Sequence, residues 1–224
     1  MITNVQLFRD KIYEELAIIT KALGSAKRLE IVDLLAQGPL SVEKIAIQTD
    51  MSVANASKHL QVLKSAKVVG MIRRGNFIDY SLSGEDVYNA WAAIRELGEA
   101  HNAEIKSILT DFRGSKSEMK GVAAEELLKK IYSGEAVILD VRPEEEYKRG
   151  HIHKAISLPI EELEEKVKHL SKHTEIIAYC RGKFCFLADE AVSFLKNKGF
   201  NANRIEEGFS EWVMNGYPVD REKI

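Results

Sequence analysis

The sequence predicts two domains of different class: an all-helical unit carrying one β-hairpin, then an α/β unit built around a central parallel sheet. Three observations predict it. The segment Thr110–Gly121 (TDFRGSKSEMKG) is polar, holds two glycines and separates stretches of unlike pattern. Before it, apolar residues recur mostly at helical spacing. After it, short β-rich runs at 136–141 (AVILDV) and 175–180 (EIIAYC) alternate with helical patterns at 161–170 and 187–198, the rhythm of βαβ units. The expected boundaries are 1–112 for the first domain, 113–120 for a linker and 121–224 for the second.

Composition narrows the class without naming it. The 224 residues are 45% apolar and 29% charged, which excludes a disordered or low-complexity chain. Thirty-two basic and 34 acidic residues leave a net charge of −2, so no global charge advertises nucleic acid or a membrane. No run approaches the roughly 18 apolar residues of a spanning helix. Arg9, Asp10, Lys11, Glu14 and Glu15 do not fit a signal peptide. Two cysteines are no disulfide framework, so a reducing cytoplasm is the expected setting.

In the first half, an amphipathic helix is expected from about Val5 to Leu23, with Leu16, Ile19 and Leu23 on one face. A second, at Ala26–Ala36, stops at Gln37-Gly38-Pro39. A third starts at Ser41 and runs to about Gln48; a fourth starts at Ser52 and runs to about Ala66, both serines reading as N-caps. Two short helices on so tight a turn form a helix-turn-helix candidate. Val53, Ala56, Leu60 and Leu63 form the expected buried face of the fourth helix. Asn55, Lys58, Gln61 and Val62 then point elsewhere, with Ala54, Ser57 and His59 on the flanks. Apolar alternation on both sides of Arg73-Arg74-Gly75-Asn76 describes a hairpin with two arginines at its tip, a wing. From Met51 to Ile78, Lys58, Lys64, Lys67, Arg73 and Arg74 face no acidic residue, a local electrostatic footprint for DNA.

The run SVANASKHLQVLK at 52–64 followed by RRGNFIDYSL at 73–82 resembles the winged helix-turn-helix of the ArsR family of bacterial repressors, over roughly residues 15–110. The resemblance implies a homodimer formed through the first and last helices on a double-stranded DNA operator. The residues expected at the DNA are Ser52, Asn55, Ser57, Lys58 and His59 on the helix and Arg73 and Arg74 on the wing. A helix from about Glu85 to Leu109, striped with Val87, Trp91, Ile94, Leu97, His101, Ile105 and Ile108, suits the dimer role. Many members of the family bind metal through a cysteine pair or a His/Asp/Glu cluster. This half has no cysteine, and His101 with Glu104 falls short of a ligand set, so no metal is expected.

Both cysteines lie in Cys180-Arg181-Gly182-Lys183-Phe184-Cys185, between an apolar strand and a helical pattern. A cysteine at such a strand end faces loop N–H groups and a helix N-terminus, which favours an anion and is expected to lower the Cys180 thiol pKa; Arg181 and Lys183 push the same way. Three more motifs accompany the loop. They are Leu139-Asp140-Val141-Arg142 with Glu146-Tyr147; Gly150-His151-Ile152 with Ala155–Pro159; and Gly208-Phe209-Ser210-Glu211-Trp212 with Gly216–Val219. In this order they resemble a rhodanese domain across about residues 120–222. Lys154 and Glu207 depart from it, standing where glycines are usual.

The resemblance implies that Cys180 accepts a sulfane sulfur as a persulfide from a small donor and passes it to a thiol acceptor. Asp140 and Arg142 are then expected to support the loop rather than react. The six residues from Cys180 to Cys185 are the sulfurtransferase loop length; a phosphatase-type C-x5-R loop would need Arg at 186, where Phe186 stands. Cys185 allows a disulfide or polysulfide bridge to Cys180 if their Cα atoms lie within about 7 Å. The pairs His151/His153 and His169/His173 lack Cys or carboxylate partners, so neither a metal nor a cofactor is expected. The leading expectation is a cytoplasmic, non-membrane DNA-binding regulator whose rhodanese domain transfers or senses sulfane sulfur. The alternatives are a sulfurtransferase merely dimerised by its helical domain and, less favoured by loop length, an arsenate-type oxyanion reductase.

Overall fold

The computed structural model describes residues 2–74, 77–114 and 121–222, in two compact units, Met1–Asn102 and Ala103–Ile224. The first unit runs α1 (Ile2–Leu23), α2 (Ala26–Leu35), β1 (Leu40–Ser41), α3 (Val42–Gln48), α4 (Val53–Ser65), β2 (Val69–Arg74), β3 (Phe77–Leu82) and α5 (Glu85–His101). Its core gathers Ile31, Val32 and Leu35 of α2, Ile45 of α3, and Ala56, Leu60 and Leu63 of α4. The serine caps form as the sequence requires: Ser41 Oγ accepts the Lys44 N–H and Ser52 Oγ accepts the Asn55 N–H.

Val53 departs from expectation and is exposed. A helical side chain covers the turn N-terminal to its own Cα, and at the first position of α4 there is no such turn to cover. The hairpin pairs Val69 with Leu82 through Arg74 with Phe77, and β1 adds a third strand by pairing Leu40 with Tyr80 and Ser41 with Asp79. Two residues of β1 were too few to show as alternation in the sequence. The hairpin tip, Gly75-Asn76, lies outside the described residues.

The helix expected over 85–109 is divided. Asn102 adopts an extended conformation (φ −101°, ψ 108°) and ends α5, its N–H donating to the Gly98 carbonyl. Within α5 the expected apolar stripe also separates. Trp91 is buried with Tyr88 in its own unit, its Nε1–H donating to Asp33 at 2.8 Å, whereas Ile94 and Leu97 stay exposed. Among the described side chains of α1 only Ala22 is buried; Val5, Phe8, Ile12, Leu16 and Ile19 are exposed.

The second unit runs α6 (Ala103–Gly114), β4 (Gly121–Val122), α7 (Ala124–Ser133), β5 (Ala136–Asp140), α8 (Glu144–Arg149), β6 (His151–Ile152), β7 (Ile156–Ser157), α9 (Leu163–Lys166), β8 (Glu175–Tyr179), α10 (Leu187–Asn197), β9 (Ala202–Ile205), α11 (Phe209–Met214) and β10 (Val219–Asp220). Of the expected linker, 115–120 lie outside the described residues. Five strands form one sheet in the order β4-β9-β8-β5-β7, every pair parallel, and β6 and β10 form an antiparallel ribbon. The near-continuous apolar runs of β5 and β8 suit strands covered on both faces. One face packs on Val192 and Leu195 of α10, the other on Leu127 and Ile131 of α7 and Trp212 of α11. β8 occupies the centre, and Cys180 is the residue immediately beyond its carboxyl end, where parallel sheets open their crevices.

Candidate functional site

The loop leaving β8 is tied down at both ends. The Cys185 N–H donates to the Gly182 carbonyl at 3.0 Å, closing the six residues into a tight turn. Phe209 N–H donates to the Cys180 carbonyl at 2.9 Å and Ser210 N–H to the Arg181 carbonyl at 3.1 Å, so the start of α11 holds the loop's first two peptides. Gly208 makes this approach possible: a Cβ there would sit 2.3 Å from Gly182 Cα and 2.6 Å from the Arg181 carbonyl carbon. The glycine of the GFSEW motif is thus a packing requirement of the cysteine loop.

Around the loop the remaining motifs converge on one buried polar network. Asp140 and Arg142 are both fully buried and paired, Arg142 Nη2 lying 2.6 Å from Asp140 Oδ2 and also donating to the Gly150 carbonyl at 2.8 Å. Tyr179 hydroxyl donates to Asp140 at 2.6 Å and accepts the Ile152 N–H at 3.0 Å. The Arg142 guanidinium also lies 3.9 Å over the Phe209 ring, whose backbone supports Cys180. Burial opposes the charge on Arg142, but Asp140 beside it outweighs that, so the net shift of the guanidinium is upward. Burial, followed by the Asp140 charge, pushes the Tyr179 hydroxyl well up, keeping it a donor. These residues fasten the strand ends of β5 and β8 and the chain at Gly150.

Arg181, expected to act on the thiol, is engaged by the buried Glu146: its Nη2 lies 2.6 Å and its Nε 3.0–3.1 Å from the carboxylate. Sequence alone gives Glu146 no role, because its partner Arg181 lies 35 residues away in the chain. Lys183 and Phe184 are half-buried in the turn. Among the histidines, His151 Nδ1 lies 2.9 Å from the Tyr147 carbonyl and His153 Nδ1 2.9 Å from Asp220. Among the described residues no group of three or more His, Cys, Asp or Glu is placed to hold a metal ion.

The two thiols divide one proton. Cys180 is 4% exposed and its Sγ donates to the Cys185 carbonyl at 3.1 Å. Hydrogen bonding to Cys185, then burial, pushes the Cys180 thiol well up. The hydrogen bond from Cys180 lowers Cys185 to about 7, against its burial and helped by the Leu187 and Arg181 N–H groups and the Arg181 charge. The lowered thiol of the loop is thus Cys185, because Cys180 hydrogen-bonds it, whereas the lowering expected at Cys180 is opposed by that bond and by burial.

In the first unit the expected DNA-facing residues fall on one helix and one hairpin. Ser52, Asn55 and Lys58 are exposed, Ser57 and His59 half-buried, and Arg73 is exposed on β2. Arg74 has a described backbone in β2, paired with Phe77, while its side chain lies outside the described residues.

A helix-turn-helix with a hairpin wing, joined to an α/β domain whose central strand ends in a cysteine loop, defines a transcription regulator carrying a rhodanese-like domain. Residues 25–69 match the bacterial regulatory protein, arsR family, and residues 123–215 the rhodanese-like domain. The HTH-type transcriptional regulator Rv0324 of Mycobacterium tuberculosis is 39% identical over 207 residues, 92% of this chain and 91% of that protein. The chain belongs to the arsR family of bacterial regulators, in the form that carries a rhodanese-like domain behind its helix-turn-helix. The putative sulfurtransferase YtwF of Bacillus subtilis is 28% identical over 42% of this chain and 91% of its own length. A solved homodimeric winged helix-turn-helix domain from Mycobacterium bovis is 38% identical over 43% of this chain and 89% of its own (TM-score 0.41). No helix among the described residues is long and apolar enough to cross a membrane.

Proposed function

We propose that this regulator is a cytoplasmic homodimer that binds a double-stranded operator and that its rhodanese-like domain carries sulfane sulfur on Cys180, linking sulfur supply to transcription. The observation that carries the sulfur reading is the placement of Cys180 at the carboxyl end of the central strand, in a six-residue loop held by the N–H groups of Phe209 and Ser210. The six-residue length and Phe186 in place of arginine favour sulfur over phosphate or arsenate as the transferred group. A small sulfane donor and a thiol acceptor are the partners this chemistry requires.

For the operator, Lys58 and Arg73 supply phosphate contacts while Ser52, Asn55, Ser57 and His59 face the groove at the N-terminal half of α4, with Arg74 as a further wing contact. The bare apolar face of α1 and the exposed Ile94 and Leu97 of α5 support pairing with a second copy through these helices. The test is a titration of the full-length protein with inorganic polysulfide. Mass spectrometry of Cys180 and operator affinity are read in the same samples. Added sulfur on Cys180 with a changed affinity supports the reading; added sulfur with unchanged affinity removes the link to transcription, and no added sulfur removes the carrier role.

A further inference from the structure

We infer that Cys185 is a second reacting residue of the loop: it resolves a persulfide on Cys180, so the domain reduces sulfane sulfur to sulfide and is itself left with a Cys180–Cys185 disulfide. This rests on the reading that Cys180 accepts the sulfur.

The geometry comes first. The two cysteines close one turn: the Cys185 N–H is bonded to the Gly182 carbonyl and the Cys180 Sγ to the Cys185 carbonyl, and the two thiols shift each other's protonation. A sulfur added to Cys180 therefore starts within the same tight turn as Cys185, whose carbonyl the Cys180 Sγ already touches at 3.1 Å. Both cysteines are free thiols, and the chain contains no others. A nucleophile held in this position competes with any external acceptor at the advantage of an intramolecular reaction. Its ionisation near pH 7 also suits it, because a thiol whose pKa lies near ambient pH attacks sulfur most effectively.

The steps balance. With thiosulfate as donor, Cys180 loses its proton to solvent and attacks the outer sulfur. The S–S bond of thiosulfate breaks and sulfite leaves with its electron pair. The persulfide takes up a proton from solvent and the Cys185 thiolate attacks Cys180 Sγ; the persulfide S–S bond breaks and hydrosulfide leaves. The sulfane sulfur gains two electrons, and the two thiols become one disulfide. Renewal requires an external dithiol reductant. The domain therefore stands between a reaction that generates sulfane sulfur and one that supplies reduced dithiol.

The experiment uses reduced full-length protein and counts two products, sulfite for loading and sulfide for resolution. Wild type should release both and end with the loop peptide internally disulfide-bonded by mass spectrometry. Cys185→Ser and Cys185→Ala should keep sulfite release, hold a persulfide on Cys180 and lose sulfide release by at least about tenfold. If wild type also holds its persulfide and releases no more sulfide than these variants, the inference falls and the carrier reading stands. If Cys180→Ser instead retains sulfur on Cys185, the assignment of roles is overturned. If neither thiosulfate nor inorganic polysulfide loads either cysteine, the carrier reading itself fails.

Discussion

Lys58 and Arg73 of the first unit stand exposed on a segment without an acidic residue, whereas Arg142 and Arg181 of the second are withdrawn from solvent against Asp140 and Glu146. All four flank an element with a functional role, and in the sequence they look alike. Their surroundings separate them. An exposed cation keeps its charge within reach of a partner, which in the proposed reading is phosphate. A withdrawn cation matched by a carboxylate turns most of its charge inward: Arg142 sets where a backbone runs, and Arg181, held by Glu146, also helps to lower Cys185.

The buried pairs carry the largest expected effects. Arg142→Ala leaves Asp140 buried without its partner and is expected to cost about 3–5 kcal/mol in urea unfolding of the full-length protein; a loss below about 1 kcal/mol would show that Asp140 is satisfied without it. Gly208→Ala drives a methyl into the backbone at Gly182 and is expected to cost about 1–3 kcal/mol and to reduce sulfur loading of Cys180, read by mass spectrometry. Retention of full loading would separate loop geometry from chemistry. Alkylation of Cys185 by iodoacetamide should rise with pH through about 7, because the lowered pKa keeps the reactive thiolate above that value and loses it below. In Cys180→Ala the rise should move upward, since the hydrogen bond that lowers it is gone. Lys58→Ala sharpens the other side of the comparison. Stability should stay within about ±0.5 kcal/mol, while the salt dependence of operator binding falls by about 0.9 for one phosphate contact.

Much of this division was legible in the sequence. Capped helices, the hairpin and the βαβ alternation follow from local patterns, and the cysteine loop stood out because residues close in sequence stay close in the fold. What was not legible depends on neighbours distant in sequence. Trp91 looked like part of one continuous stripe, but the carboxylate that draws it inward is Asp33. Asn102 is a weak helix former rather than a breaker, so nothing local marked the division between α5 and α6. Which of Cys180 and Cys185 is lowered depended first on the hydrogen bond between them and then on their burial, details of loop geometry that residue type does not encode.

Phe112 of α6 lies against Phe186, the residue that follows Cys185, with ring centroids 4.6 Å apart. A fragment cut to begin at Gly121 would strip one wall from the residue that launches α10, whereas a fragment beginning at Ala103 keeps it. The end of the helix that the sequence joins to the first unit is, by its packing, a lining of the second unit. Amide exchange at Phe186 in the two fragments would therefore report whether this short helix braces the thiol turn from outside the sheet.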